Sequence, residues 1–232
     1  MEITKDNKTA LVFGATGLVG RHLVNFLLLH PAYEKVVIFV RRPAGIEHKK
    51  LVQHVIDLDH PEKFGHLLKG DDLYLCLGTT MAKARSREAF YKVDFTYAFQ
   101  AASRAVNNHV HQLMIVSSIG ASKDSLFYYS KVKGELEEAV QTLPFWSIHI
   151  FRPSVLLGER NENRFGEKIA GRIGNLFDRF TGGLLSKYKP IEADVVAKAM
   201  VSAAQGFKPG VHFYPSHWLQ ALAAEIEAVR PF

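Results

Sequence analysis

Short apolar runs rich in β-branched residues recur along the chain at 10–13, 36–40, 52–56, 73–77, 113–116 and 147–151. Between most of them lie segments whose apolar positions fall on one face of a helix, at 18–29, 64–69, 88–107, 128–142 and 193–205. The runs are nearly continuous rather than alternating, as strands covered on both faces must be. Strand and helix repeating in this way predict an α/β protein built on a doubly wound parallel sheet. After residue 151 the pattern changes to a charged segment at 159–164, a glycine-punctuated stretch at 166–183, a helix at 193–205 and a strand-like run at 210–214. These residues are too few for a second core. We therefore expect residues 152–232 to contribute a small C-terminal cap on the substrate side of a single domain spanning 1–232.

Composition adds limits. The chain has 232 residues, 47% of them hydrophobic and 22% charged, a balance that suits a folded globular protein and excludes general disorder. No apolar stretch is long enough for a membrane span, and the N-terminus lacks the basic-then-apolar order of a signal peptide, so the expected location is cytoplasmic. Cys76 is the single cysteine, which leaves no intrachain disulfide and no thiolate cluster for a metal. A formal charge of +6 favours acidic ligands, among them nucleic acids and phosphorylated cofactors. The basic residues are dispersed, however, with only short clusters at Arg41–Arg42, Lys49–Lys50 and Lys131/Lys133 and no aromatic-interleaved basic segment. Nucleic acid is therefore not expected as a partner.

The first strand runs directly into Gly14, Ala15, Thr16, Gly17, Leu18, Val19 and Gly20, which open the first helix. A pyrophosphate needs close backbone approach and donor N–H groups at a helix N-terminus, so residues without a Cβ belong where the strand hands over. This is the phosphate loop of a Rossmann dinucleotide site, in GxxGxxG spacing. The second strand ends in Arg41 and Arg42 with no carboxylate at the turn. Two guanidiniums there suit a 2′-phosphate and point to NADP(H) over NAD(H). Asp57 and Leu58 follow the third strand and suit an adenine contact, with a simple turn aspartate as the alternative. Leu77, Gly78, Thr79 and Thr80 end the fourth strand with small residues that leave room for the cofactor.

The chemistry lies downstream. Tyr129 and Lys133 are one helical turn apart and can face one cleft. A lysine ammonium beside a tyrosine favours the phenolate and makes a usable acid/base, and Lys133 can also hold the nicotinamide ribose. Ser118, at the end of the fifth strand, can hydrogen-bond the oxygen undergoing change, while its neighbour Ser117 is assigned to the cofactor. Adjacent residues point to opposite faces, and which of the two serines faces the cleft is open at this level. Tyr128 with Lys131 is a competing pair.

Taken together, the 14–20 loop, Cys76-Leu-Gly-Thr-Thr80, Phe90-Tyr-Lys-Val-Asp94-Phe-Thr-Tyr97, Val116-Ser-Ser-Ile-Gly-Ala121, Tyr129-Ser-Lys-Val-Lys133-Gly-Glu-Leu-Glu and the 151–160 segment resemble the short-chain dehydrogenase/reductases. The likeness is to their atypical branch, the group similar to the HIV Tat-interacting oxidoreductase-like proteins. It runs from about 9 to 164. The resemblance implies Tyr129 as acid/base, Lys133 as its electrostatic partner and Ser118 as the oxygen-binding hydroxyl. It also implies that Arg152, Pro153 and Ser154 pass the nicotinamide. Asp94 departs from the asparagine of many relatives, which puts a four-member proton relay in question.

The expected activity is NADPH-dependent hydride transfer between the nicotinamide and a small carbonyl or alcohol. The rival is a non-catalytic NADP(H)-binding regulator that engages a protein partner. A monomer or a homodimer is compatible with either. His48, His54, His60 and His66 recur every six residues, a period that matches neither a helix face nor a metal-ligand spacing, so no metal is expected. Cys76, inside an apolar run, reads as an inert buried thiol.

Overall fold

The computed structural model describes residues 5–158 and 189–228. Among these residues seven parallel strands form one sheet, in the order 51–55, 33–40, 8–13, 72–75, 112–116, 147–152 and 210–215. They are β1 (Lys8–Phe13), β2 (Tyr33–Val40), β3 (Leu51–Val55), β4 (Asp72–Leu75), β5 (Gln112–Val116), β6 (Ser147–Arg152) and β9 (Gly210–Pro215). A two-residue pair, β7 (Leu156–Leu157) with β8 (Ile191–Glu192), stands apart. The helices are α1 (Leu18–Leu29), α2 (Pro61–Phe64), α3 (Met81–Ala84), α4 (Arg87–Tyr91), α5 (Tyr97–Asn107), α6 (Tyr128–Gln141), α7 (Ala193–Gln205) and α8 (Ser216–Ala228).

Strand alternation divides the core into two layers. Ala10, Val12, Tyr74 and Met114 face α1 and α7, where Leu23, Val24, Leu27, Val196 and Met200 close over them. Leu11, Leu73, Leu113 and Ile115 face α5 and α6, where Ala98, Ala101, Ala105, Leu136 and Val140 do the same. Both faces are dry, which explains why the strands read as unbroken apolar runs. From β1 the chain moves outward through β2 to β3, then crosses to β4 on the other side of β1. The connections leaving β1 and β4 therefore part company, and a crevice opens at the carboxyl ends of these two strands.

The doubly wound sheet agrees with the sequence reading. The 64–69 helix is instead α2 followed by a 3₁₀ turn, Gly65–Leu67, and β4 ends at Leu75, two residues earlier than expected. Of the C-terminal region, β9 extends the main sheet by pairing along the whole of β6, and α7 packs against α1. These elements belong to the body of the fold. The stretches at 159–164 and 166–183, which carried most of the expected cap, lie outside the described residues.

Polar side chains gather at the amino ends of the central strands. Asp72 ion-pairs with Lys8, accepts from Tyr33 Oη at 2.5 Å and from Gln112 Nε2 at 2.8 Å, and all four residues are buried. Gln112 and Gln205 then reach from the sheet to α7 and back, through the Ala204 carbonyl and the Tyr33 hydroxyl. Burial raises the Asp72 carboxyl above its ordinary range, with Lys8 opposing.

His149, on β6, is also buried, between Ser147 Oγ at 2.8 Å and Tyr214 Oη at 2.9 Å. Burial pushes its imidazole down to about 3, from an ordinary value of 6.5. Below about pH 6.5 the unfolded chain takes up a proton that the folded one refuses, so this residue's contribution is present above that pH and lost as pH falls. We expect the unfolding free energy at about pH 5 to fall by about 2 kcal/mol more in the wild type than in His149→Gln, measured against neutral pH by urea titration. Equal losses in the two proteins would contradict this.

Candidate functional site

The crevice is floored by the turn between β1 and α1. Gly14 has φ +77°, a left-handed conformation that side chains oppose, and a Cβ there would lie 2.4 Å from the Cys76 carbonyl oxygen. A Cβ on Gly20 would lie 2.0 Å from the Gly14 carbonyl oxygen. Two glycines thus let β1, β4 and α1 meet backbone to backbone. Gly17 differs from them. It is exposed, caps α1 with no side-chain hydrogen bond, and a Cβ on it would lie 3.1 Å from the Gly14 oxygen. The N–H groups of Leu18, Val19 and Gly20 have no acceptor within the helix, and the first turn carries no acidic residue. Ala15 and Val19 are buried under the turn, and Thr16 is exposed at its tip. Open donors, a positive helix end and no obstructing side chain form a cradle that fits a pyrophosphate.

The residues expected to hold the remainder of a dinucleotide ring this turn. Arg41 and Arg42 are exposed directly after β2, beside β1 in the sheet. Asp57 is exposed and its Oδ1 accepts the Asp59 N–H at 3.0 Å, while Leu58 is buried in the α5 layer. Leu77, Gly78, Thr79 and Thr80 follow β4. Thr80 caps α3 through the Lys83 N–H, and the Thr79 N–H donates to Asp94 Oδ2 at 2.8 Å.

Asp94 joins this loop to the Tyr129/Lys133 helix. It sits in a π-helical turn, Lys92–Thr96, between α4 and α5, and its Oδ1 lies 2.7 Å from Lys133 Nζ. Both side chains are almost wholly buried. A Cβ on Gly78 would come within 3.8 Å of Lys133 Nζ, so the ammonium borders the loop after β4. Gly134 fixes the height of α6. A Cβ there would strike the Ser122 backbone at 2.2 Å, so this glycine lets the helix start press against the loop leaving β5.

Of the two adjacent tyrosines, Tyr128 is tied away, donating to the Arg87 carbonyl at 3.0 Å with the Arg87 guanidinium 5.0 Å above its ring. Lys131 is exposed. Tyr129 is 39% exposed, packs its ring on Phe90, and its hydroxyl has no hydrogen-bond partner among the described residues. Ser117 and Ser118 are buried, and among the described residues neither hydroxyl is hydrogen-bonded. The backbone stays extended past β5, with Ser117 N–H donating to Phe151 O and Ile119 N–H to Pro153 O. Val116 packs with the α1 layer, so alternation turns Ser117 toward the α5/α6 layer and Ser118 the other way.

At the end of β6, the Arg152 guanidinium forms a paired contact with buried Glu137 at 3.0 and 2.5 Å and stacks 4.6 Å from the Phe213 ring. Glu137 raises its pKa further. Ser154 binds Ser216 and the Lys189 carbonyl, fastening this strand end to α8. Sequence reasoning noticed Asp94 but not its pairing with Lys133, and it missed Glu137. The available signal was an acidic residue on the inward face of each helix. Cys76 is half-buried, and desolvation pushes its thiol up to about 12, which holds it in the protonated form at neutral pH.

A glycine cradle at the switch point of a doubly wound sheet, beside a buried lysine one turn from a half-exposed tyrosine, defines a dinucleotide-binding protein of Rossmann type. Comparison with known proteins is specific. A family described as NAD(P)H-binding matches residues 14–163. "Protein FMP52, mitochondrial" of Candida albicans is 36% identical over 205 residues, covering 85% of this chain and 88% of that one. "Protein HTATIP2" of Rattus norvegicus is 35% identical over 182 residues, covering 76% and 75%. The chain belongs to the NAD(P)H-binding family, as an atypical short-chain dehydrogenase/reductase similar to HTATIP2.

Among solved structures, "MoeE5 in complex with UDP-glucose and NAD" superposes with a TM-score of 0.66 at 17% identity, covering 96% of this chain and 83% of that one. The ADP-L-glycero-D-manno-heptose-6-epimerase of Helicobacter pylori gives 0.69 at 14%, covering 97% and 84%. At such identities the likeness concerns the fold. The cytoplasmic location expected from the sequence does not stand, because relatives from several yeasts carry "mitochondrial" in their names.

The glycines separate two roles that a mutation can test. Gly20→Ala drives a methyl into backbone and should cost more than about 3 kcal/mol of stability, whereas Gly17→Ala should fold normally. Gly17→Ala should nevertheless weaken dinucleotide binding about tenfold or more, since its methyl crowds the cradle. Thermal unfolding and calorimetric titration read the two effects separately. Equal behaviour of the two variants in both assays would contradict the assignment.

Proposed function

We propose that the protein is an NADPH-dependent oxidoreductase that interconverts a small carbonyl compound and its alcohol at a Ser118, Tyr129, Lys133 site. The observation that carries the reading is a half-exposed Tyr129, whose hydroxyl has no partner among the described residues, one turn before a buried Lys133 that borders the loop after β4. The 14–20 cradle would hold the pyrophosphate, Arg41 and Arg42 the 2′-phosphate, and Lys133 the nicotinamide ribose. Bound there, NADPH supplies the hydride. As the substrate carbon accepts it, Tyr129 Oη delivers a proton to the carbonyl oxygen, so hydride and proton together complete the alcohol. Ser118 donates a hydrogen bond to that oxygen as negative charge develops on it, with Ser117 as the competing donor on the α5/α6 side. Leu77 to Thr80 and the strand end at Arg152, Pro153 and Ser154 would flank the nicotinamide. With the Arg152 guanidinium held by Glu137, the backbone there is left to face the ligand. The names of the relatives support a mitochondrial location.

Tyr129→Phe should lower kcat at least about a thousandfold while leaving NADPH affinity within about twofold. Turnover equal to wild type on a panel of aldehydes and ketones would remove Tyr129 from the chemistry. Tight NADPH binding without turnover by the wild type would favour a regulator over an enzyme. Removing Arg41 and Arg42 together should weaken NADPH about tenfold or more and NADH far less, because only the former carries the 2′-phosphate. Parallel losses by titration calorimetry would refute that role.

A further inference from the structure

We propose that Asp94 is a positioning residue that presents Lys133 to Tyr129 as half of a neutral pair, so that Tyr129 is kept as a proton donor and the site is built for carbonyl reduction. The direction of reaction rests on the reading of Tyr129 and Lys133 given above; the charge relation between the three residues does not.

Three observations support the inference. The Asp94 carboxylate is 2.7 Å from Lys133 Nζ, and among the described residues neither group forms another ion pair. Both are buried, so water does little to screen the carboxylate's effect on the ammonium. The second carboxylate oxygen is held by the Thr79 N–H at 2.8 Å, which fixes Asp94 in place and ties the loop after β4 to it. A lone ammonium one turn from a tyrosine would favour the phenolate, the form that takes a proton from an alcohol. A carboxylate on that ammonium cancels most of the field, and the phenol, the form that gives a proton to a carbonyl, is retained. An ionised carboxylate accepts hydrogen bonds and donates none, so position 94 meets the Lys133 ammonium as a pure acceptor.

Among the described residues, the groups set around Tyr129 are these. On α6 itself, Tyr128 is bonded to the Arg87 carbonyl and Lys131 is exposed. From α4 come the uncharged Phe90 ring against Tyr129 and the Arg87 guanidinium over Tyr128. The end of β5 offers the neutral Ser117 and Ser118 hydroxyls, and Cys76, directly after β4, packs with the α1 layer of the core. The π turn has a part here, since inserting an extra residue re-aims a side chain, and such turns recur at working sites.

The test is a spectrophotometric titration of phenolate absorbance in the purified cofactor-free protein, with the Tyr129 signal isolated by subtracting the matching Tyr129→Phe protein. Asp94→Asn should move Tyr129 ionisation to lower pH by about one unit. Asp94→Asn combined with Lys133→Met should return it to the wild-type position, because charge is again balanced; a purely structural role for Asp94 would not produce that return. Lys133→Met alone leaves a bare carboxylate and should move the ionisation to higher pH, so the inference can be tested even where Asp94→Asn folds poorly. Unchanged titration in Asp94→Asn, or no return in the double variant, would overturn it. The enzymatic reading is scored separately. A shifted titration in a protein without turnover would leave the neutral pair standing and remove the reductase. Turnover with an unshifted titration would do the reverse.

Discussion

The structure depends on how closely three backbones can approach one another at the start of α1. The Gly14 and Gly20 positions stand within 2.0–2.4 Å, measured from a hypothetical Cβ, of carbonyl oxygens on the neighbouring segments. Any side chain would push the helix off the sheet. With the helix seated, its N-terminal N–H groups open at the one place where the sheet's connections diverge. The core reinforces the same geometry, since α1 is packed on both β1 and α7 by Leu23, Val24 and Leu27. Cradle and core are thus one constraint met twice, whereas the exposed Gly17 is less tightly enclosed than either.

A second set of contacts orders the far side of the crevice. Buried ion pairs are costly to assemble and add little net stability. The buried pair of Asp94 with Lys133 and the half-exposed Arg152 on buried Glu137 nonetheless hold α6 by one face, where Lys133 and Glu137 stand one turn apart. They fix which way the helix presents Tyr129, and Gly134 sets its depth. The loop after β4 is held to the same group through Thr79. The loop after β4 and the start of α6 are therefore mechanically linked through Asp94.

The fold was largely legible because parallel strands buried on both faces leave continuous apolar runs, and helices between them leave a clear period. The glycine turn was legible for a related reason, since its requirement is local. Long-range pairing was harder to read. Nothing near Asp94 in sequence indicates that its partner is Lys133, and nothing near Arg152 points to Glu137. Strand β9 was read only as a strand-like run beside a cap, because as an edge strand with mixed exposure it lacks the apolar signature of its neighbours. Helix α8 gave no capping signal that was recognised, although Ser216 at its start is bonded to Ser154. Tyr128 and Tyr129 could not be separated by spacing; the Arg87 carbonyl, which binds only the former, distinguishes them.

The claim on which the rest turns is that the cradle at α1 and the arginines after β2 together take a phosphorylated dinucleotide. The most direct measurement is calorimetric titration of the cofactor-stripped wild-type protein with NADPH and with NADH. One site per chain, with NADPH bound at least about tenfold more tightly than NADH, is the expected result. A folded protein that binds neither would contradict the cradle itself, and equal affinity for the two would contradict the role of Arg41 and Arg42.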